Sequence, residues 1–398
     1  MPEHDVVITN FSHHSAAFAA DPIGMSDDLR TRSPLSWSTE HGGFWLVTSY
    51  PLITQVFQNY ETFTSRHGAA IPDLSFGTTH IPVTLDPPEH HVFRRYLNPW
   101  FELESVRQRE PEMRAILGRI LTDLAARGEW DFVSDLAEVM PGTFVLSMLG
   151  MPVERRLTFL RAMERGMRNQ GTKDPRLLEQ MDEDNAWIQN ELRAEIDDRR
   201  TNPTDDLLSY LVHEPVGGRQ LTDAQILDVV MVLLLAGFHT TSGALAAMLA
   251  HLEQHPEQRA DLQANPAKIP AAIEEIVRVY AAATSMARTV SRDTELDGVR
   301  MAAGDKVLGL IFAADRDPGK FTDAATVDFD RKEKGSVAFG WGVHRCLGIH
   351  VARLILRLEL EMLFEVIPDY RVDLERTELA GTLGIGYEHE RVTGYIRR

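Results

Sequence analysis

Between Thr222 and His255 the chain runs for more than thirty residues without a helix breaker. Thr222-Asp223-Ala224-Gln225 has the spacing of a capping box, in which a hydroxyl and an amide side chain satisfy backbone groups at a helix start, and His255-Pro256 closes the pattern. A single helix of about 50 Å is predicted, enough to cross a whole molecule. Its middle, Leu233 to Thr241, is apolar on every side and then abruptly small and polar. From Glu104 to Arg200 apolar residues recur at roughly 3.6 spacing. That run is interrupted at Pro111, Gly128, Pro141, Pro152 and Pro175. Ile273 to Tyr280 and Val351 to Phe364 read as further amphipathic helices. The first hundred residues are mixed. Phe44 to Thr48 reads as a strand, Tyr50 to Gln58 as a short helix, and Ser65 to Val83 as an irregular loop rich in Gly, Pro and His. In Asp86-Pro87-Pro88-Glu89 the prolines mark another helix start, and the acids suit its first turn.

Length and charge narrow the classes. A chain of 398 residues is within range for one large domain spanning 1–398. A formal net charge of −18 disfavours nucleic acid and anionic membrane as partners, without forbidding a local basic patch. Met1 to Phe18 has no apolar run of the signal-peptide kind. The strongly apolar stretch Val229 to Gly237 is far short of the roughly 20 residues that cross a bilayer. A cytoplasmic location is expected, in keeping with a chain that holds a single cysteine.

That cysteine, Cys346, sits in Phe339-Gly340-Trp341-Gly342-Val343-His344-Arg345-Cys346-Leu347-Gly348. A lone thiol has three plausible roles, packing, nucleophilic attack or ligation. Gly340, Gly342 and Gly348 free the backbone to turn tightly and bring amide groups near the sulfur, and the positive end of the next helix lies close by. These surroundings suit a thiolate.

Phe339, Gly342, Cys346 and Gly348 form Phe-x-x-Gly-x-x-x-Cys-x-Gly, which resembles the haem-ligand signature of the cytochrome P450 monooxygenases. Three further stretches fall in the family's order. Ala236-Gly237-Phe238-His239-Thr240 resembles its oxygen-side helix, Ala-Gly-x-(Asp/Glu)-Thr, with His239 in place of the acid. A neutral imidazole relays protons through its two nitrogens, so Thr240 is expected as the oxygen-side hydroxyl and His239 as the relay. A His-Thr pair here is also similar to that of the family's sterol demethylases. A glycine inside a helix costs about 1 kcal/mol relative to Ala; at Gly237 the gain is expected to be close approach of a flat cofactor, the other reading being helix packing. The helix with His90 and Arg94 resembles the one that meets the haem carboxylates, together with Arg288 and His344. Glu275-x-x-Arg278 with Arg331 resembles the family's structural Glu/Arg/Arg network.

The resemblance implies a mainly α fold with small β-sheets. It implies haem b, with Cys346 as axial thiolate and a cofactor site drawing on His90, Arg94, Ala236, Gly237, Arg288, Phe339, Gly340, His344 and Gly348. It implies O2 as co-substrate and insertion of one oxygen atom into a small-to-medium, mostly apolar substrate. Phe238, Ala282, Ala283, Thr284, Ser285 and Ile385 are expected to line the substrate pocket, and Met163 to Leu178 to lid its entrance. This length leaves no room for a flavin or nicotinamide domain, so electrons are expected from a ferredoxin-type donor with an NAD(P)H-dependent reductase, acting on a monomer. Arg94, Arg95, Lys332, Lys334 and Arg345 cluster in sequence around the thiolate side as a docking patch. Competing readings are a peroxide-driven haem-thiolate peroxygenase, a non-catalytic haem-binding protein, and a thiol hydrolase pairing Cys346 with His344.

Overall fold

A computed structural model of the chain describes residues 6–72, 79–169, 172–383 and 386–396; of Arg168 and residues 378–396 only the backbone is described. The helix Asp223–Gln254 runs through the largest apolar cluster. At its start the Gln225 amide donates to the Thr222 hydroxyl (3.3 Å), while the Thr222 amide donates to the Gln225 side chain (3.0 Å). It stops at His255, because Pro256 opens the next helix. Val139–Met148, Pro175–Thr201, Ile269–Val279 and Ile349–Val366 pack against it. Each buried Leu, Val or Phe contributes roughly 1.5–3 kcal/mol. Propensity differences among ordinary residues stay under about 1 kcal/mol. Tertiary burial therefore holds this helix.

The same helix corrects one expectation. Its uninterrupted apolar run is too short to cross a bilayer, yet the helix as a whole is long and apolar enough to do so. Most of its apolar part is buried inside the protein, as in a core helix.

The stretch 104–200 resolves into Leu103–Gln108, Glu110–Arg127, Val139–Met148, Arg156–Arg168 and Pro175–Thr201. Gly128, at φ +80°, ends the second of these in a backbone conformation that disfavours other residues. Pro141 lies in the first turn of its helix, where a missing N–H costs nothing, so the break falls just before it. Helical periodicity conceals the strand Glu129–Asp131, which pairs with Gly386–Ile396 and thereby with Tyr370–Leu383. A second sheet orders Val7–Thr9, Leu35–Ser38, Phe44–Val47, Lys306–Leu310, Ser285–Val290 and Phe63–Thr64. Its register sets Arg288 opposite Val307, on the strand next to the one that carries Trp45. A third, two-stranded sheet pairs Thr294–Leu296 with Val299–Met301. An apolar cluster that includes Ile53, Val56 and Phe57 fills the space between the larger sheet and the helix Tyr50–Gln58.

Candidate functional site

The cysteine loop is built by its glycines. Gly340 and Gly342 hold φ +73° and +70°, and a Cβ at 342 would fall 2.7 Å from the Phe57 carbonyl oxygen, so both the turn and the close approach require glycine there. The Cys346 amide donates to the Phe339 carbonyl at 2.8 Å, which folds the loop back on itself. The helix Ile349–Val366 starts directly afterwards, with Gly348 at its cap. Cys346 is accessible to water. Yet it is so surrounded by chain that burial, above all, pushes its thiol up, against the Gly348 amide and the charges of Arg94, Arg345 and Arg353. A side chain both crowded and wettable lines an internal hollow.

A second accessible surface lies where none is expected, in the middle of the long helix. Between Ile226 and Leu252 the one exposed residue is Ala236; Asp228, Gly237 and Thr240 are intermediate and the rest are buried. Ala236 and Thr240 are four apart and share a face, and the Thr240 hydroxyl donates to the Ala236 carbonyl at 3.0 Å. His239 is buried, and its carbonyl accepts from the Ser242 hydroxyl at 2.8 Å. Thr240, not His239, therefore presents itself on the accessible face. Gly237 does not have the expected orientation: its Cβ would stand 2.6 Å from Val145 Cγ2. Its lost side chain lets the helix Val139–Met148 pack close, which is the helix-packing alternative.

Four basic residues from three separate parts of the chain, His90 with Arg94, Arg288 and His344, come together. The His90 and His344 rings have centroids 4.3 Å apart. His90 is buried, its Nδ1 has no partner among the described residues, and burial followed by the Arg94 charge pushes it down to about 4. Burial, then Arg288, pushes His344 down to about 2. Both rings are therefore neutral at physiological pH. Arg288, 3% exposed, lies 5.0 Å over the Phe57 ring and donates to the Ala287 carbonyl at 2.7 Å. Burial brings its guanidinium down to about 10. Among the described residues no carboxylate lies within ion-pair distance of Arg288. A buried guanidinium without a counter-ion is costly, so a cluster of this kind suits an anionic guest such as the carboxylates of haem. Arg94, half-buried, donates to the Arg345 carbonyl at 2.8 Å and so ties this helix to the cysteine loop.

Glu275 receives Arg278 through two bonds of 2.7 and 2.8 Å and Arg331 Nε at 2.7 Å, and it also accepts the Asp328 amide at 3.0 Å. All three side chains are buried, and the two arginines further bind carbonyls of 315, 322–324 and 326. The network fixes the segment that leads into the cysteine loop.

The expected substrate-pocket residues divide. Ala282 and Ala283 are partly exposed, but Thr284 and Ser285 are buried at 0% and 2%. Phe238 is buried as well and faces Gly142, on the opposite side of the long helix from Ala236, because two residues turn a helix by about 200°. Phe238, Thr284 and Ser285 therefore present almost no accessible surface. Ile385 lies outside the described residues. Of the entrance segment, Met163 and Met167 are buried and Leu177 and Leu178 exposed. Of the residues expected for docking, Arg95, Lys332, Lys334 and Arg345 are exposed, whereas Arg94 is half-buried and bonds the Arg345 carbonyl. The basic set is larger than expected: beyond burial, the charges of Arg353, Arg345 and Arg107 lower the pKa of His350.

Two residues escaped the sequence reading. Ser65 Oγ bonds His344 Nε2 at 3.2 Å, and the Ser65 amide donates to Asp86 at 3.2 Å. Asp86 was expected in the first turn of a helix, but that helix is Glu89–Phe101, and the Asp86 carboxylate instead accepts the Thr64 hydroxyl. No local signal marks such contacts.

The comparisons agree with this geometry. Residues 188–378 match the model of the family Cytochrome P450. The chain is 31% identical over 334 residues to a steroid C26-monooxygenase of Mycobacterium tuberculosis (strain CDC 1551 / Oshkosh), covering 84% of this chain and 89% of that one. It is also 31% identical to the mycinamicin IV hydroxylase/epoxidase of Micromonospora griseorubida, over 86% of each. A mutant of P450 EryK solved in complex with erythromycin B superposes with a TM-score of 0.84 at 29% identity, covering 95% of this chain and 97% of that one. The chain therefore belongs to the cytochrome P450 family, whose mainly helical fold with small sheets it has. Within that family it is a monooxygenase, and membership implies haem, a cysteine thiolate ligand and the use of O2.

Proposed function

We propose that the protein oxidises a mostly apolar, steroid- or macrolide-sized substrate, using haem b held by Cys346 and electrons from a separate ferredoxin-type protein with an NAD(P)H-dependent reductase. The observation that carries this reading is the presence of two wettable surfaces inside a crowded interior, at Cys346 and at Ala236 with Thr240.

Haem, when bound, supplies the reduction of O2 and the insertion of one oxygen atom into substrate. Cys346 would ligate it as thiolate; the Gly348 amide and the charges of Arg94, Arg345 and Arg353 favour that form against burial. His90, Arg94, Arg288 and His344 would receive its carboxylates, the histidines as neutral donors and the arginines as charges. On the other side the Thr240 hydroxyl, engaged with the Ala236 carbonyl, holds a proton on the accessible face. His239 next to it can pass protons inward through its ring. Ala236, Ala282 and Ala283 leave room for a bulky substrate, and the buried walls exclude bulk water. The substrate class is supported by relatives named for a steroid and for mycinamicin IV. The electron donor is supported by the exposed Arg95, Lys332, Lys334 and Arg345, accessible positive charges suited to an acidic partner on a chain of net charge −18.

The test is the absorption spectrum of the reduced, carbon-monoxide-bound protein, followed by a screen of steroids and macrolides for shifts of the ferric spectrum and by turnover with ferredoxin, reductase and NAD(P)H. A thiolate-haem band, absent from Cys346→Ala, is expected. A wild-type protein that takes up no haem would sink the reading. Turnover with hydrogen peroxide exceeding that with ferredoxin would select the peroxygenase reading, which His239 in the place of an acid favours.

A further inference from the structure

The basic cluster has an acid inside it. Asp86 is 7% exposed, and its carboxylate accepts the Thr64 hydroxyl and, at 3.2 Å, the Ser65 amide. Ser65 in turn reaches His344 Nε2 through its hydroxyl at 3.2 Å, and Asp86 Oδ1 stands 4.0 Å from the same nitrogen. The Asp86 backbone carbonyl accepts the His90 amide at 3.0 Å, so one residue touches the supports of both histidines. Arg66 Nε lies 3.4 Å away on the solvent side, where Thr64, Arg66, Asp86, His91 and Lys306 line an open cleft of about 1100 Å³. Glu89, the next acid, pairs with Arg66 only loosely and is 66% exposed.

A buried carboxylate whose charge reaches Arg288 is poorly screened on its inner side, so it acts on its neighbours there far more than a surface charge would. A site meant only to attract anions has no use for it. Its presence makes sense when the guest brings two carboxylates of its own and the site must hold them in fixed places without an excess of positive charge. We propose that Asp86 is a positioning residue for the cofactor carboxylates: it orients His344 through Ser65 and, as the buried acid of the basic cluster, limits the positive charge that those carboxylates and the iron meet. The proposal rests on the haem reading above.

A nearby negative charge stabilises the oxidised, more positive state of an iron centre, so removing it raises the reduction potential. The test is a redox titration of the haem-loaded protein together with the rate of haem transfer to an excess of a haem-scavenging apoprotein. Asp86→Asn keeps the shape and deletes the charge; it is expected to shift the potential to more positive values with the thiolate-carbon monoxide band retained. Asp86→Glu, which restores the charge, is expected to return it towards the wild-type value. Ser65→Ala deletes the link to His344 and leaves every charge in place. A several-fold faster haem transfer is expected, with the potential nearly unmoved. A purely structural role for Asp86 would lower haem content without moving the potential of the loaded fraction. Equal potentials for wild type and Asp86→Asn at matched haem occupancy would overturn the proposal. Haem transfer from Ser65→Ala as slow as from wild type would overturn it too, and that variant decides the matter if Asp86→Asn does not fold. Absence of the thiolate band from the wild-type protein is a different result, which refutes the haem reading itself.

Discussion

Val145 Cγ2 lies 2.6 Å from the point where a Cβ on residue 237 would stand. The Gly237 gap is thus filled by a stiff, β-branched neighbour from another helix. Gly237→Ala would gain about 1 kcal/mol of helix propensity and incur roughly 1–3 kcal/mol of overpacking. A net loss of up to about 2 kcal/mol is expected in denaturant unfolding. Adding Val145→Ala should recover part of it, with a favourable coupling of about 1 kcal/mol. Strict additivity of the two changes would show that the glycine serves something other than this contact.

Glu359 gives a prediction with a sign in pH. It is fully buried in the helix Ile349–Val366, both carboxyl oxygens lack partners among the described residues, and burial raises its pKa well above the ordinary 4.5. The folded protein therefore binds this proton more tightly than the unfolded chain. The associated stability is complete below pH 4.5 and is lost progressively as pH rises towards the raised folded value. Glu359→Leu removes an unbonded polar group from the core, which typically costs about 1–3 kcal/mol. The variant should have the higher Tm, by a margin that widens from pH 5 to pH 8. A margin that is flat with pH would mean that the carboxyl has found a partner.

Thr240→Ala should leave substrate affinity near wild type, because the hydroxyl is engaged with the Ala236 carbonyl and only its face is open. Hydrogen peroxide release per NAD(P)H consumed should rise several-fold as product falls. Unchanged coupling would assign proton handling to His239 or to water.

Reversing Arg95 and Lys334 to Glu tests the docking proposal, since both side chains are exposed. Ferredoxin-driven reduction should slow by about tenfold or more, and the wild-type rate should itself fall as added salt shortens the Debye length below about 10 Å. Substrate-induced spectral shifts should be unaffected. Reduction rates indifferent to both salt and reversal would move the partner to another face.

The thiol loop and the long helix were legible because their signals are local. Cys346 stands among glycines whose positive φ the sequence spacing itself suggests, and a Thr-Gln pair three residues apart caps a helix wherever it falls. Glu275, Arg278 and Arg331 are legible only through the family resemblance, because a Glu/Arg pair three apart on a helix is common and says nothing of burial. The substrate wall is less legible: the resemblance implies Phe238, Thr284 and Ser285 for it, but which side of a helix or strand is accessible depends on the neighbouring elements, and all three are buried.

By itself, then, the sequence determined where the long helix starts and stops and that one thiol sits in a ligand-like turn, and its motif residues showed which family the chain resembles. The first two follow from capping, turn chemistry and the 3.6-residue period, all of which act within a few residues. Only the tertiary structure decided that Ala236 rather than Phe238 is accessible, that Gly237 makes room for Val145, and that Arg94 reaches the Arg345 carbonyl. It also decided that Asp86 and Ser65 support His344, a partner 279 residues from Ser65 along the chain. Such contacts are set by how helices and sheets pack around a shared core, where burial outweighs every local preference.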